Sequence, residues 1–203
     1  MDMATALLVI DVQNDFCAGG ALAVPDGDAV VETINAIAPR YATVVLTQDW
    51  HPSDHTSFAS RHEGRQPFET IALDYGRQVL WPDHCVIDSA GAAFHPRLYV
   101  PNAAMIQRKG MNRAIDSYSA FLEADRRTPT GLTGWLRTRG ITGVHLCGLA
   151  TDFCVSWSAL DARREGFEAA VIAPACRAID LDGSLDAAWG KMTEAGVARI
   201  ASL

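Results

Sequence analysis

The sequence has little that would suit a secreted, membrane-bound or nucleic-acid-binding protein. Its five cysteines are an odd number without a disulfide framework, which is typical of a reducing cytoplasm. Only 17 basic residues stand against 24 acidic ones, and the net charge of −7 argues against nucleic acid or an anionic membrane as a partner. The apolar runs are all shorter than the roughly 18 residues of a membrane span, and no basic flank marks a signal peptide. We therefore expect a cytoplasmic protein.

What the chain does contain is an alternation of strand and helix patterns in 203 residues, with 49% hydrophobic and 20% charged residues. This length suits one domain, 1–203, with a substantial core. The alternation predicts an α/β fold with a mostly parallel, Rossmann-like sheet of about six strands and helices on both faces. The predicted strands are 6–10, 42–47, 144–147, 169–173, 197–201 and a segment ending at Lys109, and the predicted helices are 27–38, 131–139, 151–165 and 185–195.

The stretch from about 50 to 101 lacks this alternation. It contains Pro52, Pro67, Pro82 and Pro96 and many polar residues, so we predict an irregular insertion. A structureless segment of this length inside a compact domain is usually functional or disordered. Because two histidines suited to metal binding fall inside it, His51 and His84, we interpret it as a functional insertion.

Three polar residues stand where predicted strands end. Asp11 follows the first strand, Lys109 ends the third, and Cys154 lies at the start of a helix after another. Because ligands bind beyond the carboxyl ends of the strands in open α/β sheets, we expect all three side chains in one crevice. Thr151 and Asp152 are good N-cap types, and the helix dipole would favour a thiolate at Cys154. Singly, these residues suggest a buried thiol and solvated charges, but together they predict a nucleophile, a base and an electrostatic partner.

A second group of polar residues suits a metal ion. Asp49 and His51 are two positions apart, so their side chains point the same way in an extended segment. With His84 they give one carboxylate and two imidazoles, a common ligand set for Zn²⁺, Fe²⁺ or Mn²⁺ that leaves positions open for water or substrate. Alone, the Asp-x-His pattern is more typical of a capped turn. His55 and Ser57 could complete or support the site, and the spacing does not decide between these roles.

Five sequence blocks, in this order and spacing, resemble the nicotinamidases of the isochorismatase-like hydrolase family. The blocks are DVQNDFCAGGALAV, TQDWHP, WPDHCV, KGMNRAIDSYSAF and GLATDFCV, and the resemblance covers about residues 5 to 200. It implies that Asp11, Lys109 and Cys154 form a catalytic triad. It also implies that one divalent metal ion is bound by the residues that stand at the family's ligand positions, Asp49, His51 and His84. The fourth ligand varies in the family, and His55 is considered for it.

The same resemblance implies a substrate pocket. Phe16 and Trp81 would sandwich a pyridine ring, and Tyr118 would close the pocket. The Leu149–Ala150 bond resembles the family's non-proline cis peptide, which would direct the backbone N–H groups of Ala150 and Cys154 at an oxyanion.

The activity implied is hydrolysis of nicotinamide to nicotinate and ammonia in NAD salvage, a part of pyridine nucleotide biosynthesis, through a thioester on Cys154. Pyrazinamide, which has one more ring nitrogen, would be a second substrate. Two alternatives remain open. Other members of the fold hydrolyse small amides or carbamoyl groups, and the chain could instead be a non-catalytic, metal-dependent binding module. The substrate is expected to be the main partner, and a homo-oligomer is compatible with the sequence.

Overall fold

A parallel six-stranded sheet organises the chain in the computed structural model, which describes residues 4–202. The strands are β1 (Thr5–Ile10), β2 (Thr43–Asp49), β3 (Thr70–Leu73), β4 (Gly76–Val79), β5 (Ala103–Lys109), β6 (Gly143–Leu149), β7 (Glu168–Arg177) and β8 (Ala198–Ile200). The main sheet has the order β5-β2-β1-β6-β7-β8 with all pairs parallel, whereas β3 and β4 form a separate antiparallel hairpin. The predicted fold class and strand number are confirmed.

Four α-helices connect these strands. They are α1 (Val30–Ile37), α2 (Leu132–Arg137), α3 (Ser156–Arg164) and α4 (Ser184–Glu194). From β1 the chain moves toward β5, but from β5 through β6 to β8 it moves in the opposite direction. Because crossover connections between parallel strands are right-handed, α1 lies on one face of the sheet and α2, α3 and α4 lie on the other. Helices therefore cover both faces, as predicted.

The core is built from strands that are buried on both faces. Five of the six residues of β1 are fully buried, which is why this strand is a continuous apolar run rather than an alternating one. The apolar stripe of α1 packs against the sheet with Val30, Val31, Ile34 and Ile37 buried. The strand order reverses between β1 and β6, and the carboxyl ends at such a reversal form a crevice where α/β proteins bind ligands.

The region between β2 and β5 is irregular apart from one hairpin. The sequence analysis missed β3 and β4, which pair from Thr70 with Val79 to Leu73 with Gly76. Their side chains are mostly exposed, so the sequence lacks the apolar alternation that would have indicated strands. No helix in the described part of the chain is both long enough and apolar enough to cross a membrane.

Candidate active site

The three strand-end residues meet in the crevice. Lys109 Nζ lies 2.9 Å from Asp11 Oδ2 and 3.5 Å from Cys154 Sγ. All three residues are buried, with relative exposures of 0% for Asp11, 1% for Lys109 and 6% for Cys154. The sheet topology explains this meeting, because the strands that carry Asp11 and the Cys154 turn are neighbours at the reversal. The predicted juxtaposition of acid, amine and thiol is thus present in the structure.

Asp11 is held by a threonine on the neighbouring strand. The hydroxyl of Thr47 donates to Asp11 Oδ1 at 2.6 Å and accepts from the Asp11 backbone N–H at 3.1 Å. Burial raises the pKa of the Asp11 carboxyl above its ordinary value, although Lys109 opposes this shift. A carboxylate whose pKa is raised accepts a proton more readily, which suits a general base.

Lys109 lies between two carboxylates. It pairs with Asp49 directly across the β2–β5 ladder, and its ammonium contacts both Asp49 and Asp11. It also donates to the Ser117 carbonyl at 2.9 Å. Burial alone would lower the pKa of Lys109, but the two carboxylates outweigh it and hold the pKa well above its ordinary value. The ammonium is therefore a permanent positive charge beside the thiol.

Cys154 is a thiol rather than a thiolate in this arrangement. Burial raises its pKa well above the ordinary value, and Asp11 and Asp49 raise it further, while Lys109 lowers it without compensating. Burial and the two carboxylates thus outweigh the helix terminus, which by itself would favour the thiolate. A thiol in this position needs a base when it reacts, and Asp11 is placed to be that base.

The turn that carries Cys154 differs from the predicted helix start. Thr151–Val155 forms a π-helical turn before α3, and Ala150, not Thr151 or Asp152, is the N-cap residue. The Asp152 carboxylate instead accepts from the backbone N–H groups of Ile179 and Asp180, at 3.0 and 2.8 Å. Asp152 thus holds a neighbouring loop, so the prediction that it caps the helix is wrong. The Leu149–Ala150 peptide bond is cis, as the resemblance implied.

Asp49, His51 and His84 lie together as a group that could hold a metal ion. One ligand atom from each lies within 4.8 Å of the others, and all three residues are buried. Nδ1 of His51 lies 2.9 Å from the Gly110 carbonyl, and Nδ1 of His84 lies 2.8 Å from the Pro82 carbonyl. Since a carbonyl can only accept, both Nδ1 atoms carry a proton, so Nε2 is the nitrogen of each ring that can bind a metal ion. The group therefore fits a divalent metal ion. Burial lowers the pKa of His51, but the neighbouring Asp49 carboxylate outweighs burial and raises this pKa above its ordinary value, so metal binding at His51 competes with protonation.

Gly110 is required for this orientation of His51. Its φ of +67° is unfavourable for other residues, and a Cβ atom there would overlap the imidazole ring. Burial and the neighbouring His51 lower the pKa of His84 to about 4, so its ring is neutral near pH 7 and available as a ligand.

His55 belongs to a different candidate group, in which its ligand atom lies near those of His51 and Asp116 rather than those of Asp49 and His84. Its Nε2 lies 3.3 Å from the Ile115 carbonyl and must carry the proton, while Nδ1 lies 2.7 Å from the Ser57 hydroxyl. The ring packs against His51 with centroids 4.3 Å apart. Ser57 thus orients His55, the supporting role that the sequence had left open.

A second group of potential ligands, Cys17, Asp28 and His95, has the wrong histidine tautomer. The Arg97 backbone N–H donates to Nδ1 of His95 at 3.2 Å, so the proton is on Nε2, which lies 3.0 Å from Asp28. Nε2 of His95 thus donates to Asp28, whereas Nε2 is the ring nitrogen without a backbone partner in His51 and His84.

A narrow cavity opens onto the thiol of Cys154 and onto Asp49, His51 and His84. Its lining includes all three residues expected to hold a ring, Phe16, Trp81 and Tyr118. The Trp81 Nε1–H donates to the Tyr118 hydroxyl at 2.9 Å. Sequence reasoning missed Phe153, whose ring meets Trp81 edge-on with centroids 4.9 Å apart, and Ile179. Phe153 lies beside Cys154 in the same sequence block, and this position is the one feature of the sequence that could have indicated its place in the cavity wall.

The model of the isochorismatase domain matches residues 5–202 of the chain. The chain belongs to the isochorismatase family. Within this family, a nicotinamidase of Acinetobacter baylyi is 55% identical over 197 residues, which cover 97% of this chain and 92% of the relative. A solved structure of an Acinetobacter baumanii nicotinamidase and pyrazinamidase has a TM-score of 0.98 and 57% identity, covering 98% and 97% of the two chains.

Two further solved structures of similar proteins contain ligands. A pyrazinamidase of Pyrococcus horikoshii in complex with zinc has a TM-score of 0.81 and 32% identity, covering 98% of this isochorismatase-family chain and 99% of its own. PnC1 of L. infantum in complex with nicotinate has a TM-score of 0.86 and 37% identity, covering 98% of this chain and 93% of its own.

Proposed function

We propose that the chain is a metal-dependent cysteine amidohydrolase that converts nicotinamide to nicotinate and ammonia. The observation that carries this proposal is the contact of Lys109 with both Asp11 and Cys154 beside a cavity lined by aromatic residues. The high sequence identity to nicotinamidases supports nicotinamide as the substrate, and one similar protein has been solved in complex with nicotinate. The reaction serves NAD salvage in the cytoplasm, where five free cysteines remain reduced.

The proposed reaction begins with attack of Cys154 Sγ on the carboxamide carbon. Asp11 takes the thiol proton as the S–C bond forms, and Lys109 stabilises the negative charge that develops nearby. The backbone N–H groups of Ala150 and Cys154 hold the oxyanion of the tetrahedral intermediate. Asp11 then protonates the leaving amine, ammonia departs, and a thioester of nicotinate remains on Cys154. Water activated by Asp11 cleaves the thioester and regenerates the thiol.

The substrate ring lies in this proposal between Phe16 and Trp81, with Tyr118 closing the cavity. Asp49, His51 and His84 would hold the metal ion, and their N and O donors suit Zn²⁺, Fe²⁺ or Mn²⁺. Once bound, the ion supplies a Lewis acid that orients the pyridine ring. This pocket would recognise the shape of the ring and one ring nitrogen. Because pyrazinamide has the same ring shape and also has a nitrogen at that position, it is proposed as a second substrate.

The test is release of ammonia from nicotinamide by the purified protein in a coupled assay. We expect turnover by the unsubstituted enzyme and by Cys147→Ala, because Cys147 is buried in β6 away from the crevice. Cys154→Ser should release none. Ammonia from other small amides but not from nicotinamide would contradict the proposed substrate, and activity of Cys154→Ser equal to that of Cys147→Ala would contradict the proposed nucleophile.

A further inference from the structure

One side chain connects the peripheral hairpin to the active-site cavity. Residues of β3 and β4 are mostly exposed or half-buried, but Gln78 on β4 has a relative exposure of only 1%. A buried amide must satisfy both its donors and its acceptor, so its partners define what it holds in place.

The partners of Gln78 fix the orientation of its amide. Tyr75 donates its hydroxyl proton to Gln78 Oε1 at 2.9 Å. Gln78 Nε2 lies 2.6 Å from Asp116 Oδ2, 2.7 Å from the Val79 carbonyl oxygen and 3.0 Å from the Tyr118 hydroxyl oxygen, so its two N–H bonds are shared among three acceptors. Because an ionised carboxylate can only accept, the nitrogen must face Asp116. The Gln78 amide therefore forms hydrogen bonds to two residues that line the cavity, Asp116 and Tyr118.

The first of these residues belongs to the aromatic wall. The Tyr118 hydroxyl oxygen accepts from Gln78 and also from Trp81 Nε1, at 2.9 Å for the latter. The indole nitrogen can only donate, so Tyr118 supplies its acceptor. Through one hydroxyl, Gln78 thus fixes the mutual position of the two rings proposed to contact the substrate.

The second residue shapes the turn beside the triad. Asp116 Oδ1 accepts from the Ser117 backbone N–H at 2.8 Å, and the Ser117 carbonyl accepts from Lys109 Nζ. Lys109 is also held by Asp11 and by Asp49, so its position does not depend on this turn alone. Loosening Gln78 would therefore disturb the cavity wall more than the triad.

We infer that Gln78 is a positioning residue for recognition of the substrate ring, acting from the hairpin through Tyr118 and Asp116. The inference rests on the proposed function for the identity of the substrate. A hairpin that fixes the cavity wall controls how tightly the aromatic amide is held, while attack by Cys154 depends on Asp11 and Lys109. Gln78 touches no reacting atom in this account.

The test is the steady-state kinetics of Gln78→Met, which keeps the length of the side chain but removes its donors and acceptor. A buried hydrogen bond to a carboxylate stabilises the folded protein by an amount equivalent to a factor of about 10 to 100 in an equilibrium constant, which is the upper limit of its effect on substrate binding. We expect KM for nicotinamide to rise several-fold, up to this limit, while kcat stays within about threefold. The rate at which iodoacetamide alkylates Cys154 should remain unchanged. The matched control is Gln66→Met, since Gln66 is exposed in the same insertion.

Two further variants separate positioning from general stability. Tyr75→Phe removes the bond to Gln78 Oε1 and the longer bond, at 3.4 Å, that the Tyr75 hydroxyl accepts from the Asp116 backbone N–H. It leaves the donors of Gln78 in place, so it should raise KM in the same direction by less. This variant provides the test if Gln78→Met does not fold. The double variant Gln78→Met/Tyr118→Phe should raise KM by less than the product of the single effects, because both act on one hydroxyl. A fall in kcat at unchanged KM, or multiplicative effects in the double variant, overturns the inference. Failure of the proposed function is a different result, namely no ammonia from the unsubstituted enzyme.

Discussion

Replacing Lys109 by methionine should damage both the stability and the activity of the enzyme. The Lys109 ammonium has no exposed surface and lies against two buried carboxylates, Asp11 and Asp49. Removing one partner of a buried ion pair costs about 3–5 kcal/mol, because the remaining charge is left uncompensated. We expect a loss of this size in the free energy of unfolding of Lys109→Met, measured with urea and tryptophan fluorescence on protein freed of metal by a chelator.

The loss of stability in Lys109→Met should become smaller at acid pH. Burial already raises the pKa of Asp11, and without Lys109 the hydrogen bond from Thr47 is left to oppose both burial and the repulsion from Asp49. A carboxyl whose pKa is raised in the folded state binds protons more tightly there than in the unfolded chain, so acid favours folding. The stability deficit of Lys109→Met relative to the unsubstituted protein should therefore shrink as the pH falls from about 8 toward about 5.

An exposed ion pair provides the matched control. Arg113 pairs with Asp54 at 2.9 Å, and its side chain is 71% exposed. Arg113→Met should cost less than about 1 kcal/mol, since surface pairs contribute little. A deficit for Lys109→Met as small as that of Arg113→Met, or one that grows toward acid pH, would refute the idea that Lys109 compensates two buried carboxylates.

The remaining predictions concern the other parts of the site. Asp11→Asn should lower kcat by several orders of magnitude with little change in nicotinamide affinity, measured by calorimetry, and combining it with Lys109→Met should add little because the triad acts as a unit. His84→Ala should lose the metal ion in elemental analysis, while iodoacetamide still alkylates Cys154; full retention of metal would contradict the assigned ligands. Phe16→Ala should raise KM about tenfold or more through lost ring contact, and an unchanged KM would contradict the stacking arrangement.

The part of the site that follows from strand order could be predicted from the sequence. Asp11, Lys109 and Cys154 each stand at the end of an apolar strand, and the rule for ligand crevices in α/β sheets was enough to bring them together. The tautomers of His51 and His84 could not be predicted, because the carbonyls that fix them come from distant or irregular backbone.

The failures have a common physical origin in long-range contacts. The local pattern around Asp152 is typical of an N-cap, but its carboxylate accepts a hydrogen bond from the backbone of Ile179, 27 residues further along the chain. The pKa of Cys154 depends on burial and on the carboxylates of two other strands, which no local helix argument includes. Gln78 gave no signal at all, because one polar residue in a short exposed hairpin is indistinguishable from a solvated side chain.

The central claim is that nicotinamide is hydrolysed through a thioester on Cys154. It is tested most directly by stopping a single turnover at successive times, with ammonia measured in solution and the intact protein weighed by mass spectrometry. The account predicts that ammonia release is matched by a transient mass increase of one nicotinoyl group, located on the peptide that contains Cys154. Ammonia released in the first turnover with no covalent mass on the enzyme at any time would contradict it.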